Sequence, residues 1–319
     1  MTMYSKELQA RLERFLKESN TSQAKAAPQI GISPTALSQY RNSNYDGGNI
    51  KNVEKKILAW LNRQEEAMQN NERKQVYKPI KNGYVPTSVS EDIYKRIKYC
   101  QVEKGMIILH GDAGIGKTKA AEKYAIDNPE STVYIQCAPS TGGLGNTLKI
   151  IASALGVSES SNRYITSNHI KKALIDSDKT LILDEAQHLK MMALEEIRTI
   201  SDPDDLLGVP GCSIVLIGNT EIYNKMLGRK SASFAQLFSR IKMHKAYQTS
   251  NLKMSDIEMT FEYLREHHMK KEIEFLYTIT KSKWGLRGAV NVYNNAVNND
   301  DVSFRGLYGM ATEMGIGVL

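Results

Sequence analysis

The chain has 319 residues, of which 41% are hydrophobic and 24% charged, a balance that suits about two globular domains with a sizeable core. No run of about 18 apolar residues is present, which excludes a helical membrane span, and the stretch Met1–Lys17 is too charged for a secretory leader, so a cytoplasmic protein is expected. The net charge of +7 is uneven: residues 1–85 carry 14 Lys/Arg against 8 Asp/Glu, and residues 86–319 carry 28 against 27, so the excess that suits a polyanion such as DNA lies in the first quarter.

Residues 1–66 read as an all-helical domain. Apolar periodicity predicts helices over 5–18 and 50–68, with Leu8, Leu12, Phe15, Val53, Ile57, Trp60 and Leu61 as core. Between them, Ser22 is placed to cap a short helix carrying Ala26 and Ala27, and Gly31 supplies a turn. Ser33 is a good N-cap, with Pro34 at the first helical position, where its missing N–H costs nothing. The second short helix points Leu37 inward and Thr35, Ser38, Gln39 and Arg41 outward, the arrangement of a helix-turn-helix. The segment resembles the phage-repressor type, whose second helix enters the major groove, and those four outward residues are candidate DNA contacts. A compact helical domain that binds protein is the alternative. Residues 67–85 are polar, lack apolar periodicity and contain Pro79, and read as a linker.

Residues 86–248 alternate apolar runs with helical patterns, the signature of an α/β fold with a parallel sheet flanked by helices. Strands are predicted at 106–109, 131–137, 180–184, 213–218 and 241–247, with helices at 143–156 and 167–177 among the connections. The three cysteines, Cys100, Cys137 and Cys212, lack metal-ligand spacing and read as reduced thiols, Cys137 and Cys212 buried in strands. Gly111-Asp112-Ala113-Gly114-Ile115-Gly116-Lys117-Thr118 satisfies the phosphate-loop pattern G-x-x-x-x-G-K-[ST] in full, between a predicted strand and a helix beginning near Lys119. Backbone N–H groups of such a turn converge on an anion. Residues 111–119 are therefore the expected ATP contacts, with Lys117 on the β- and γ-phosphates and the Thr118 hydroxyl on Mg²⁺. The strand at 180–184 delivers Asp184 and Glu185 at its carboxyl end, the Walker B arrangement. Asp184 is expected to hold Mg²⁺ through its water shell, and Glu185 to polarise the attacking water. Asn219, after the fourth strand, fits a hydrogen bond to that water or to the γ-phosphate.

With Arg240 in Leu237-Phe238-Ser239-Arg240 and Arg287 in Trp284-Gly285-Leu286-Arg287-Gly288, the chain resembles the AAA+ ATPases. The resemblance implies that Arg240 is an arginine finger acting on a neighbour's γ-phosphate, with Arg229 as the other candidate. It also implies that Arg287 is the second sensor, on a small helical lid over residues 249–299; residues 300–319 form a tail without a counterpart. The strings Leu-Asp-Glu-Ala-Gln-His-Leu, Ile-Gly-Asn-Thr-Glu-Ile-Tyr and Phe-Ala-Gln-Leu-Phe-Ser-Arg-Ile, together with the order of domains, are similar to the family of phage Mu B transposition proteins over about residues 5–297. That resemblance implies an ATPase that binds double-stranded DNA with little sequence preference, assembles on it as an ATP-dependent helical filament of identical chains, and recruits and activates a transposase. Arg163, Lys171, Lys172, Arg229 and Lys230 are the candidate DNA-lining residues of the core. A helicase loader and an ATP-switched helix-turn-helix transcriptional regulator remain open as other readings.

Overall fold

Backbone contacts divide the chain into two units, Met1–Tyr77 and Lys78–Leu319. The computed structural model describes residues 4–46, 48–80, 84–206, 208–227 and 240–317, and of residues 69–75 the backbone.

Among the described residues the first unit has four helices: α1 (Lys6–Glu18), α2 (Gln23–Ile30), α3 (Pro34–Arg41) and α4 (Ile50–Val76). Each short helix is set by its ends. Ser5 accepts from the Leu8 N–H at 3.3 Å to cap α1, and Ser33 accepts from the Ala36 N–H at 3.1 Å to cap α3. Ser22 stands at the N-cap of α2 without a side-chain capping bond. Gly31 ends α2 at φ 78°, a left-handed conformation that admits a sharp turn into α3. The core holds Leu12, Leu37, Tyr40, Ile57, Trp60 and Leu61, with Phe15 edge-on to Trp60 at 5.2 Å between centroids. One expectation is corrected. Of the segment 67–85 expected as a linker, residues 67–76 are helical, because α4 continues to Val76. Residues 67–76 contain no Gly or Pro and are rich in Gln, Glu, Arg and Lys, which lose little rotamer freedom in a helix, so they extend it without an apolar face.

The second unit begins with α5 (Ser88–Glu103) and β1 (Gly105–Gly111), then α6 (Lys117–Asp127), β2 (Thr132–Gln136), α7 (Leu144–Leu155), α8 (Arg163–Asp176) and β3 (Thr180–Asp184). It continues with α9 (Met191–Ser201), β4 (Ser213–Ile217), α10 (Thr220–Leu227) and β5 (Ile241–Tyr247). The five strands form one parallel sheet in the order β2-β3-β4-β1-β5. The central strands are covered on both faces, which is why they read as unbroken apolar runs. Met106, Ile108, Leu183 and Leu216 face α7, α8 and α9, where Leu148, Ile151, Ile170 and Ile197 complete the core. All three cysteines are buried and free. Burial pushes the thiols of Cys100 and Cys137 up to about 12 and that of Cys212 to about 11, so they are inert as nucleophiles.

Among the described residues five α-helices follow β5: α11 (Met254–Thr260), α12 (Glu262–Glu266), α13 (Lys270–Lys281), α14 (Gly285–Asn298) and α15 (Phe304–Glu313). Asp256, 1% exposed, fastens them to the sheet domain: its carboxylate accepts from the backbone N–H of Ser88 at 2.6 Å, the Ser88 hydroxyl at 2.7 Å and the Lys253 N–H at 2.7 Å. A second expectation is corrected here. Residues 300–317 of the expected tail pack on the preceding helices: Ser303 caps α15, and Leu307, Ala311 and Ile316 are buried against α13 and α14. Gly306 and Gly309 dilute the apolar pattern that would have announced this helix. Among the described residues no helix is long and apolar enough to cross a membrane.

Candidate functional site

Strand order brings distant motifs together. β1 runs into the loop 111–116, β3 ends at Asp184, and β4, which lies between them, leads into Gly218 and Asn219. Neighbouring strands are about 4.8 Å apart, so the three carboxyl ends border one crevice. A cavity of ≈ 440 Å³ opens there, lined by Gly114, Lys117, Thr118, Asp184, Glu185 and Asn219 among others.

The loop is shaped by its surroundings. Gly111 has φ 131°, and a Cβ there would stand 1.9 Å from the Tyr247 carbonyl oxygen, so β5 passes too close for any other residue. The Asp112 N–H donates to that same carbonyl at 2.8 Å, and the Asp112 carboxylate accepts from the Thr249 N–H at 2.7 Å. Ile115 is fully buried. Gly111, Asp112 and Ile115 thus hold the loop from behind, while Ala113, Gly114, Gly116, Lys117, Thr118 and Lys119 border the cavity. Gly116 starts α6 from φ 98° with open space where a Cβ would be, as a backbone that admits a phosphate requires.

Lys117 donates to the carbonyls of Gly111 at 3.1 Å and Asp112 at 2.6 Å. Burial lowers its pKa, and the negative charges of Asp184, Glu185 and Asp112 oppose that shift. Asp184 is 1% exposed. Burial raises its pKa, opposed by hydrogen bonds from the Thr118 hydroxyl, from the Glu185 N–H at 2.8 Å and from the Tyr134 hydroxyl at 2.9 Å. A buried carboxylate beside a threonine hydroxyl is a hard-oxygen pair that suits Mg²⁺, which takes one or two protein oxygens and completes its shell with phosphate and water. No cluster of three or more His, Cys, Asp or Glu able to cage a metal exists among the described residues.

Glu185 follows at φ 52°, ψ 36°, a left-handed conformation rare outside glycine. The Gln187 amide donates to its carboxylate. Asn219 is exposed at the cavity; its side-chain oxygen accepts from the Glu221 N–H at 2.9 Å, capping α10. Arg287 is in the first turn of α14 and borders the same cavity. Its N–H donates to the Gly114 carbonyl at 3.1 Å, and a Cβ on Gly285 would be 2.9 Å from the Ala113 carbonyl, so this helix start lies directly on the phosphate loop.

Other expected residues are elsewhere. Arg240 is exposed and immediately precedes β5, whose Ile241 pairs with Met106 and whose Tyr247 pairs with Gly111. It therefore stands at the amino end of the sheet, roughly 20 Å from its own phosphate loop at about 3.3 Å per residue. Arg163 and Lys172 are exposed on α8, whereas Lys171 donates to the Asp202 carbonyl at 2.7 Å. In the first unit Thr35 is exposed and Ser38 half-buried; the Gln39 amide donates to Asp46 at 3.1 Å. Arg41 is ion-paired with Glu13 and donates to Gln23 at 2.6 Å. Arg229 and Lys230 lie outside the described residues. Sequence reasoning missed Tyr134 and Gln187. Gln187 was within sight, three positions after Asp184, but Tyr134 reaches Asp184 from another strand, and no spacing along the chain signals that.

A family model for an AAA domain matches residues 100–226. The Mu-like prophage FluMu DNA transposition protein B of Haemophilus influenzae is 31% identical over 286 residues, 89% of this chain and 94% of that protein. The ATP-dependent target DNA activator B of Escherichia phage Mu is 25% identical over 283 residues, 88% of this chain and 85% of that protein. Among solved structures, Cdc6p of Pyrobaculum aerophilum aligns with a TM-score of 0.53 at 14% identity, over 75% of this chain and 70% of that one, a likeness of fold alone. With the cavity, the parallel sheet and this extent of identity together, the chain belongs to the family of Mu-like phage DNA transposition proteins B, which are AAA-type ATPases.

Proposed function

We propose that this protein binds double-stranded DNA in an ATP-dependent way, assembles on it as a head-to-tail filament, and recruits and activates a transposase. The observation that carries the reading is the separation of the candidate residues between two ends of the sheet. Lys117, Thr118, Asp184, Glu185, Asn219 and Arg287 gather at the carboxyl end, and Arg240 stands exposed at the amino end. An arginine in that position is too far from its own phosphate loop to act there, and in this proposal it serves a neighbour's site. Such a contact is heterologous and generates rings or open helices.

In the proposed reaction the loop N–H groups and Lys117 would hold the ATP phosphates, and Thr118 and Asp184 would hold Mg²⁺, which would supply positive charge against the transferring phosphoryl group. Glu185 accepts hydrogen bonding from the attacking water, the Asn219 amide donates to an oxygen of the water or phosphate, and Arg287 adds charge from α14. Arg240 of the adjacent copy stabilises the transition state, an effect of about 10³–10⁵ in related nucleotidases. DNA contact through Arg163, Lys172 and the exposed surface of α3 would be mostly to phosphate, hence salt-dependent. The names of the relatives, a DNA transposition protein and a target DNA activator, support this reading.

Electron microscopy with random-sequence duplex DNA tests it. Continuous coating is expected with a non-hydrolysable ATP analogue and not without it; discrete particles at a few positions, or coating indifferent to nucleotide, would overturn the filament. The finger has its own test. Arg240→Ala and Lys117→Ala are each expected to be inactive alone, and mixing them on DNA should restore part of the ATP turnover, because one copy supplies the finger and the other the site.

A further inference from the structure

We infer that Gln187 is a positioning residue that couples the Glu185 carboxylate to the loop bearing Asn219. The inference rests on the ATPase reading of Glu185 and extends it to a residue outside the phosphate-loop and Walker B motifs. Gln187 is 8% exposed, and both ends of its amide are engaged. The nitrogen donates to Glu185 Oε2, and the oxygen accepts the Asn219 backbone N–H at 3.3 Å. A carboxamide donates from one end and accepts at the other in a fixed plane, so rotating it for one partner disturbs the other.

The surrounding contacts close a circuit. Asn219 Oδ1 accepts from Glu221 and so fixes the start of α10. One turn on, Lys225 of α10 donates to the Gln187 carbonyl while ion-paired to Glu221 at 2.9 Å. A shift of the 218–219 loop therefore pulls on Gln187 through both its side chain and its main chain. Gly218 makes the fit tight: a Cβ there would stand 2.5 Å from Gln187 Oε1 and 3.4 Å from its backbone nitrogen. Its φ is outside the left-handed region, so what Gly218 provides is room for the amide rather than backbone freedom. Glu185 itself, at φ 52°, is anchored on the strand side, where its own N–H donates to Asp184 Oδ1. The direction of its carboxylate is then left to Gln187. A ligand contact at Asn219 would be transmitted to Glu185 over two hydrogen bonds.

Three variants test this in the full-length protein. Gln187→Leu removes both bonds, Gln187→Glu keeps the acceptor for Asn219 and loses the donor to Glu185, and Gly218→Ala displaces the amide without removing a polar group. Each is expected to lower kcat for ATP hydrolysis at least tenfold while leaving the affinity for a fluorescent ATP analogue within threefold. The discriminating measurement is a double-mutant cycle by single turnover: in a Glu185→Gln background, Gln187→Leu should lower the residual rate less than twofold. An equal loss in both backgrounds would show that Gln187 does not act through Glu185 and would overturn the inference. Wild-type kcat in Gln187→Glu and Gly218→Ala would overturn it as well, even if Gln187→Leu failed to fold. Wild-type turnover by Glu185→Gln alone would instead remove the ATPase assignment of Glu185, and this inference with it.

Discussion

In the first unit two arginines are answered by carboxylates. Arg11 pairs with Glu65 and Arg41 with Glu13, while the Gln23 amide joins Arg41 to the Pro34 carbonyl. In the ATPase unit the polar groups of the cavity are drawn in against the cost of burial: Asp184 and Lys117 both have pKa values displaced toward their neutral forms. Nearby, the His110 ring is 3% exposed, and neither nitrogen has a hydrogen-bond partner among the described residues. The difference separates side chains already matched within the fold from side chains held in a cavity without a counter-ion among the described residues. A surface whose charges are internally matched gains little from a new partner, whereas a cavity holding strained charges is relieved by a ligand that supplies the opposite ones.

The largest expected effect breaks the cavity directly. Lys117→Ala should weaken ATP binding by about 10–100-fold, the value of one charge-assisted bond to phosphate at about 1.5–3 kcal/mol. Calorimetric titration measures it. An affinity within threefold of wild type would mean that Lys117, held by two backbone carbonyls, only braces the loop.

Asp184→Asn comes next, with a sign that a purely structural carboxylate would not give. Replacing a buried charge by a neutral amide removes a desolvation cost, so the unliganded protein should become more stable by roughly 1 kcal/mol, or about 2–4 °C in Tm. The extra stabilisation by Mg²⁺ with ATP should disappear at the same time. A Tm that falls in the unliganded variant would show that the hydrogen bonds from Tyr134, Thr118 and Glu185 outweigh the burial penalty.

How much of this was legible in the sequence follows from the same contrast. The strands and phosphate loop were readable because the sheet is covered on both faces and the loop needs glycine at fixed places: Gly111 against the Tyr247 carbonyl, Gly116 at the start of α6. Asp184 and Glu185 were readable because they end an apolar run. Asp112 was assigned to the ligand by its place in the motif, yet its carboxylate turns back to Thr249, a contact with a segment far along the chain. The Gln187 bridge to Asn219 joins the segments that follow β3 and β4, and the Tyr134 bond to Asp184 joins β2 to β3, so their partners are set by strand order rather than spacing. The length of α4 and the burial of α15 were hidden for local reasons, the first by an absence of apolar periodicity, the second by two glycines.

His110 sharpens the comparison through pH. It stacks on Tyr223 at 4.5 Å with the rings 9° from parallel, and His244 lies 6.5 Å away. Burial first, then the charges of His244 and Lys117, hold its pKa below the usual 6.5. The unfolded chain therefore binds this proton more readily than the folded one. Stability should be level above about pH 6.5 and should fall below it, by at most about 1.4 kcal/mol per pH unit from this group, until the folded pKa is passed. Thermal melts from pH 7 to pH 5 check the slope. His110→Phe keeps a ring against Tyr223 and should flatten it; an unchanged slope would assign the acid sensitivity to other groups.

The smallest effect is expected in the first unit, where Arg41 is both a candidate DNA contact and a partner of Glu13. The two roles compete, because the guanidinium that donates to Glu13 and Gln23 must leave both to reach a phosphate. The ion pair is half-exposed and, like other such pairs, is worth about 0–1 kcal/mol, so Arg41→Ala should lower the stability of this unit only slightly. If Arg41 stays with Glu13, the dependence of DNA affinity on salt should be unchanged in the variant. If it exchanges Glu13 for a phosphate, the slope of log affinity against log salt should drop by about one. Glu13→Gln supplies the converse, since releasing Arg41 should tighten DNA binding at low salt only if the arginine can reach the backbone. The structure, with Arg41 bonded to Glu13 through two nitrogens and to Gln23 through the third, predicts the unchanged slope.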